Sequence, residues 1–237
     1  MKMPAIMLFL LAVAALVAVP AVKAQLLAGS KEPAAAGSES ETTTLAQTPV
    51  SYLRPTAKIA FRNYLFDAFG PYPIVGAALA AGINQADNTP PEWRQGAGAY
   101  GKRVASDFGI AAVTTTTRYT LAKAFGEDTL YYRCECKGGL PRMKHALLST
   151  FTSRRGSDGH RVFSFPALVA PYAGTMTAVY AWYPGRYNAS DGFRMGNYSL
   201  LGYAVGNVAL EFLYNGPHSW ISRLHLNNGH GSQVQQR

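Results

Sequence analysis

The sequence predicts an all-α fold, a compact bundle of about four main helices with glycine- and alanine-mediated close packing. Three observations predict it. Apolar and small residues recur at steps of three and four along the longest segments. Small residues stand four apart in each predicted helix: Ala78 and Gly82, Ala105 and Gly109, Gly174 and Ala178, Gly202 and Gly206. Such pairs carry no bulky Cβ substituent, so helix backbones can approach closely there. Clusters of Gly, Pro, Asn and Asp then separate the segments.

The N-terminal 50 residues stand apart from this pattern. Lys2, an apolar run over 5–19, Pro20, and Val22-Lys23-Ala24 ahead of Gln25 read as a secretory signal peptide over 1–24, cleaved after Ala24. The run is shorter than the roughly 20 residues that span a bilayer, which disfavours an uncleaved anchor. Cleavage would leave 213 residues, enough for one domain with its own core, and lower the net charge from +9 to +7 as Lys2 and Lys23 depart. Residues 25–50 are rich in Ala, Ser, Thr, Glu and Gly and hold no aromatic, so they read as a flexible polar linker. The helical domain is expected over 51–226, with a disordered polar tail over 227–237.

Within the domain, the first helical segment joins 56–67 to 74–86 across Gly70-Pro71-Tyr72-Pro73 and stops at the cluster from Asp87 to Pro91. The second covers 97–125, with Val104, Phe108, Ala111, Thr115, Tyr119 and Ala122 on one face. Thr114 to Thr117 is a β-branched run, so a strand is the alternative there. The third covers 146–152 and, after a turn at Gly156-Ser157-Asp158-Gly159, 166–183. The fourth covers 193–214 and is closed by Asn215-Gly216-Pro217.

Three stretches carry no charge: 68–86, 162–185 and 195–210. The first two approach membrane-spanning length, although Pro71, Pro73, Pro166 and Pro171 interrupt them. A mean hydropathy of −0.02 is low for a polytopic protein. A membrane-embedded bundle and a tight soluble one both give this pattern. Residues 176–183 also alternate as an outer-membrane β-strand would, but the strand-and-turn rhythm of a barrel does not repeat.

The most basic region runs from Arg133 to Arg161. It contains Arg133, Lys137, Arg142, Lys144, Arg154, Arg155 and Arg161 against Glu135 and Asp158, with His145 and His160 among them. These cations form a candidate anion-binding surface for lipid headgroups or phosphorylated polymer; a solvated connector between helices is the plainer reading. An exported basic protein meets a membrane or an anionic envelope surface before it meets chromosomal DNA. No base-stacking motif is present, so no nucleic acid is expected. Close-packing helix faces also leave helix-mediated self-association open.

Ser153-Arg154, five residues and His160 match one spacing found in membrane-associated acid phosphatases. An arginine cradle with a nucleophilic histidine is sound phosphoryl-transfer chemistry, which makes Arg154 and His160 weak catalytic candidates. Position 164 is Ser, however, where that pattern has an orienting Asp, and no Pro-Ser-Gly-His occurs. Gly-x-Ser-x-Gly, His-Glu-x-x-His and P-loop patterns are absent too. Glu211 lies in apolar surroundings and reads as salt-bridged or rim rather than as a general acid. His218, His225 and His230 suit a solvated tail better than a metal site.

Cys134 and Cys136, the only cysteines, leave three alternatives: a disulfide, free thiols, or half of a metal site. Two thiolates alone do not complete a structural zinc shell, and a Cys-x-Cys bridge needs a tight turn. The flanks "LYYR" (130–133) and "MKH" (143–145) carry more information than the cysteines.

"GINQADNTPPEWRQGAGAYGKR" (82–103), "EDTLYYR" (127–133) and "HALLSTFTSRRGSDGHRVFSFP" (145–166) together resemble an uncharacterised family of exported bacterial proteins. In some relatives a similar region follows a carboxypeptidase-regulatory-like domain, for which residues 25–50 are too short and polar. The resemblance spans most of 55–215 and implies a helical envelope domain without established catalytic residues. Relatives have a cysteine-free turn at 134–138, so the cysteines fall outside what is shared. No metal or other cofactor is implied. The sequence therefore points to an exported cell-envelope protein, membrane-associated, in a structural, scaffolding or accessory role. An anion-binding module over 133–161 and an envelope phosphatase are the alternatives, and a non-enzyme is favoured because no complete catalytic constellation is present.

Overall fold

Helices dominate because long stretches of small and apolar residues are bounded by cap residues. The computed structural model describes residues 52–214, 218–224, 228, 230 and 231. The signal-peptide and linker readings, and His225, lie outside the described residues. Helix α1 (Ala57–Phe69) starts at Thr56, whose side chain accepts from the Ile59 N–H, and α2 (Pro71–Ala86) follows after Gly70. A 3₁₀ turn (Pro91–Trp93) leads to the longest helix, α3 (Ala97–Phe125). Then come β1 (Glu127–Asp128), α4 (Gly139–Leu148), β2 (Thr152–Arg155) and β3 (His160–Phe163). Helices α5 (Phe165–Ala181), α6 (Ala189–Leu213) and the short α7 (Trp220–Arg223) complete the order.

The result is a predominantly helical bundle. Helices α3 and α5 pair at its centre; α1 and α2 pack on α3, α6 on α5, and α4 on α6. Small residues make the central contacts. A Cβ on Gly174 of α5 would meet Thr114 Oγ1 and the Ile110 carbonyl of α3, and one on Gly192 of α6 would lie 2.7 Å from Met176 Sδ. A Cβ on Gly196, four residues on, would come closer still to the Tyr172 ring. Thr175 Oγ1 donates across to the Gly192 carbonyl at 2.9 Å, joining α5 to α6. At the start of α6, Asn188 and Asp191 form a reciprocal capping box.

Several expectations change. The runs 114–117 and 176–181 are helical, not strands. Helix α3 buries Ala99, Arg103, Ser106, Ile110, Thr114 and Ala122, while Val104, Phe108, Thr115 and Tyr119 of the predicted face are only half-buried. Phe108 and Tyr119 instead meet Phe69 and Tyr64 of α1. Gly82 and Gly202 face open space, so Ala78/Gly82 and Gly202/Gly206 do not both seat their small residues against a partner helix.

Helix does not extend over 146–152: α4 starts earlier and ends at Leu148, 149–151 form a turn, and a hairpin occupies 152–163. Its turn uses Gly156 and Gly159 at φ +76° and +65°, and Gly159 packs directly on the Tyr52 ring. The three strands are antiparallel in the order β1-β2-β3. Glu127 stands opposite Arg155 and Asp128 opposite Arg154, so acids of one distinctive sequence element pair with arginines of another.

Candidate anion-binding site

The site is assembled where the loop after β1 passes between α4, the hairpin and the end of α6. Its foundation is Glu211 of α6, which is fully buried. The Glu211 carboxylate accepts from Tyr131 Oη at 2.6 Å, from the Cys134 N–H at 3.1 Å and from Arg142 Nε at 2.9 Å. Arg142 also donates to the Glu211 backbone carbonyl. Three donors from two segments, the loop after β1 and α4, thus converge on one carboxylate, and the loop 131–134 is held against α6. A second acid, Asp128, accepts from Tyr52 Oη at 2.8 Å and Tyr132 Oη at 2.6 Å. Burial and these carboxylates push the Tyr52, Tyr131 and Tyr132 phenols well above their ordinary range, so all three act as donors.

Above this foundation lies a polar cavity of about 260 Å³ lined by Arg133, Cys134, Glu135, His145, Arg154 and Arg161. Hairpin register explains part of it. Arg154 and Arg161 are directly opposed on β2 and β3, so both project to the same face. The Arg154 guanidinium is stacked near the rings of Tyr52 and Tyr132, at 5.5 and 5.1 Å, and donates to the Gly159 carbonyl. Arg133 lies over the Tyr214 ring, and its buried Nε has no hydrogen-bond partner among the described residues.

His145 faces Arg161 through Nε2, which accepts from the guanidinium. Its Nδ1 therefore carries the proton and points to Tyr131 Oη at 3.4 Å and Glu211 Oε2 at 3.7 Å. Burial first, then Arg161 and Arg154, lower the His145 pKa from its ordinary 6.5, with Glu211 opposing them. Arg161 is shifted down as well, by burial and by Arg154. Both groups are pushed toward losing charge, by burial first and then by neighbouring cations.

Of the seven cations proposed from the sequence, the fold therefore collects Arg133, Arg154 and Arg161. Arg142 is used beneath them on Glu211, and Lys137, Lys144 and Arg155 are exposed outside the cavity lining. His160, the proposed nucleophile, stands opposite Arg155 and so on the other face of the hairpin from Arg154. It is exposed and paired with Asp158 at 2.8 Å. Ser164, where the phosphatase spacing has Asp, caps α5 through the Ala167 N–H and donates to Glu127. The phosphatase pairing is not assembled.

Cys134 and Cys136 are joined in a disulfide with Cα atoms 5.1 Å apart, at the cavity rim. Among the described residues no group of three or more His, Cys, Asp and Glu is placed to hold a metal. Sequence reasoning left Tyr131 and His145 out of the site, although both lie in the flanks it singled out. Beyond α7, Asn228 donates to the Asn63 carbonyl, and His230 links Asp67 to the Tyr131 N–H. No protein-family model, curated protein or solved structure matches this chain.

Proposed function

We propose that this chain is an exported envelope domain that binds small oxyanions, phosphate or carboxylate groups, in the cavity formed by Arg133, Arg154, Arg161 and His145. The convergence of three guanidinium groups on one small cavity, whose only acidic lining residue among the described residues is the exposed Glu135, carries the reading. Guanidinium forks match the geometry of two oxygens on one phosphorus, sulfur or carbon. The lowered pKa values of His145 and Arg161 fit the same reading: burial is their first cause, and a bound anion would relieve the part that neighbouring guanidinium groups add. The size of the cavity suits a single charged group of a larger molecule better than a whole drug-sized ligand. Export rests on the composition of residues 1–24 and is the less direct part of the reading.

Titration calorimetry with sulfate and inorganic phosphate tests it. Binding should weaken by about tenfold or more in Arg154→Ala/Arg161→Ala, while Lys137→Ala/Lys144→Ala should change it little. Equal losses in both pairs would point to diffuse surface charge and sink the pocket.

A further inference from the structure

We infer that the outer face of α1 and α2 docks onto an anionic bilayer surface, with its apolar side chains in the acyl boundary and its basic ones among the headgroups. The inference is independent of the oxyanion pocket. Helix α2 contains no charged residue, yet it buries only Pro73, Ala77 and Ala81, a single stripe turned to the bundle. Ile74, Val75 and Leu79 remain 51, 45 and 60% exposed. A helix that is apolar on nearly every side ordinarily sits in a core or in lipid. On α1, the exposed Phe61, Leu65 and Phe69 follow one another at four-residue steps. Lys58 and Arg62, also exposed and one turn apart, run beside them.

The Ala57–Ala86 stretch is long and apolar enough to cross a membrane, and only 22% of its most apolar window is buried in the bundle. Lying on the surface fits better than spanning. The two helices are separate pieces of 13 and 16 residues around Gly70, each shorter than a hydrocarbon core is thick, and α1 keeps two exposed cations. Its one acid, Asp67, is already engaged by Asn228 and His230. Lys58 and Arg62, which form no ion pair among the described residues, stand beside an apolar stripe and are complementary to anionic headgroups over acyl chains, which is what commits the face to lipid. The apolar surface continues into an open groove of about 410 Å³ lined by Ile74, Tyr100, Val104 and Phe108, a shape that accepts an acyl chain.

Co-sedimentation of the full chain with phosphatidylglycerol vesicles, against phosphatidylcholine vesicles as the neutral reference, tests the inference. The chain should pellet with the anionic vesicles and be partly released by salt. Leu65→Glu/Leu79→Glu should weaken binding by about tenfold or more, and Lys58→Glu/Arg62→Glu should abolish the preference for anionic lipid. If the glutamates perturb folding, Leu79→Trp provides a second reading: its emission should shift to the blue with vesicles and be quenched by brominated acyl chains. Vesicle binding unchanged by the glutamates, or Trp emission unmoved by vesicles, overturns the inference. So does a lipid-free dimer that Leu79→Glu dissociates while vesicle binding persists, since the face would then belong to a second copy. Arg154→Ala/Arg161→Ala should leave vesicle docking intact, which separates failure of this face from failure of the pocket.

Discussion

At Gly174 one hydrogen atom sets the distance between the two central helices. A Cβ there would strike Thr114 Oγ1 and lie 2.7 Å from the Ile110 carbonyl oxygen, a backbone atom that cannot rotate away. Gly174→Ala should therefore cost about 2 kcal/mol by forcing α3 and α5 apart. Gly202, in α6, has nothing within reach of a Cβ, so Gly202→Ala should gain about 0.5 to 1 kcal/mol from helix propensity. Thermal melts of the two variants should move in opposite directions; shifts of the same sign would refute this account of the packing. The two glycines look alike in the sequence, each with a small residue four positions on. Spacing shows that a close approach is available, not which side of the helix meets a neighbour. Gly192 and Gly196 show the reverse, close contacts that the paired-residue reading passed over. Ser106 and Thr114 on the buried face of α3 were equally hard to see, because a search for apolar periodicity overlooks hydroxyl side chains.

Between elements, Glu211 gathers polar contacts from two segments. It ties α6 to α4 through Arg142 and to the 131–134 loop through Tyr131 and the Cys134 N–H. Glu211→Ala leaves these donors without their buried acceptor and should cost about 3 kcal/mol. Arg142→Ala in the same background should cost less than it does alone, with a coupling above about 1 kcal/mol in urea unfolding. Additive losses would mean that Arg142 and Glu211 do not act as a pair. The sequence marked Glu211 as salt-bridged or rim, and fold supplies the partner 69 residues away. The helices were legible from spacing and breakers. The hairpin was not: its turn glycines were evident, but β2 is Thr-Ser-Arg-Arg, a strand that owes its place to Glu127 and Asp128 on β1. For the same reason the cations were legible as a cluster in the chain, whereas their sorting into cavity, foundation and exposed surface depended on strand register and on Glu211.

For the molecule as a whole, stability should carry a pH dependence centred on Asp107. This carboxyl sits between α2 and α3, where Asn84 Nδ2 donates to it at 3.1 Å and Arg103 lies one turn away. Burial raises its pKa from 3.8 to about 7, outweighing the lowering by Asn84 and Arg103. Arg103 is fully buried, and its guanidinium is taken up by the Thr89, Pro90 and Arg94 carbonyls and by Gln85. Tyr183, pushed up to about 12, approaches Asp107 as a neutral phenol and supplies no compensating charge. Between 3.8 and about 7 the folded state holds the Asp107 proton and the unfolded state releases it. Unfolding then becomes easier as pH rises through that window, and the deficit is complete above it. Asp107→Asn removes the titration while leaving an oxygen for Asn84. The variant should match the parent near about pH 4 and exceed its stability by roughly 2 kcal/mol at about pH 8. Urea unfolding of both chains across this range reads the difference directly, and a difference that stays constant with pH would place the burial penalty elsewhere.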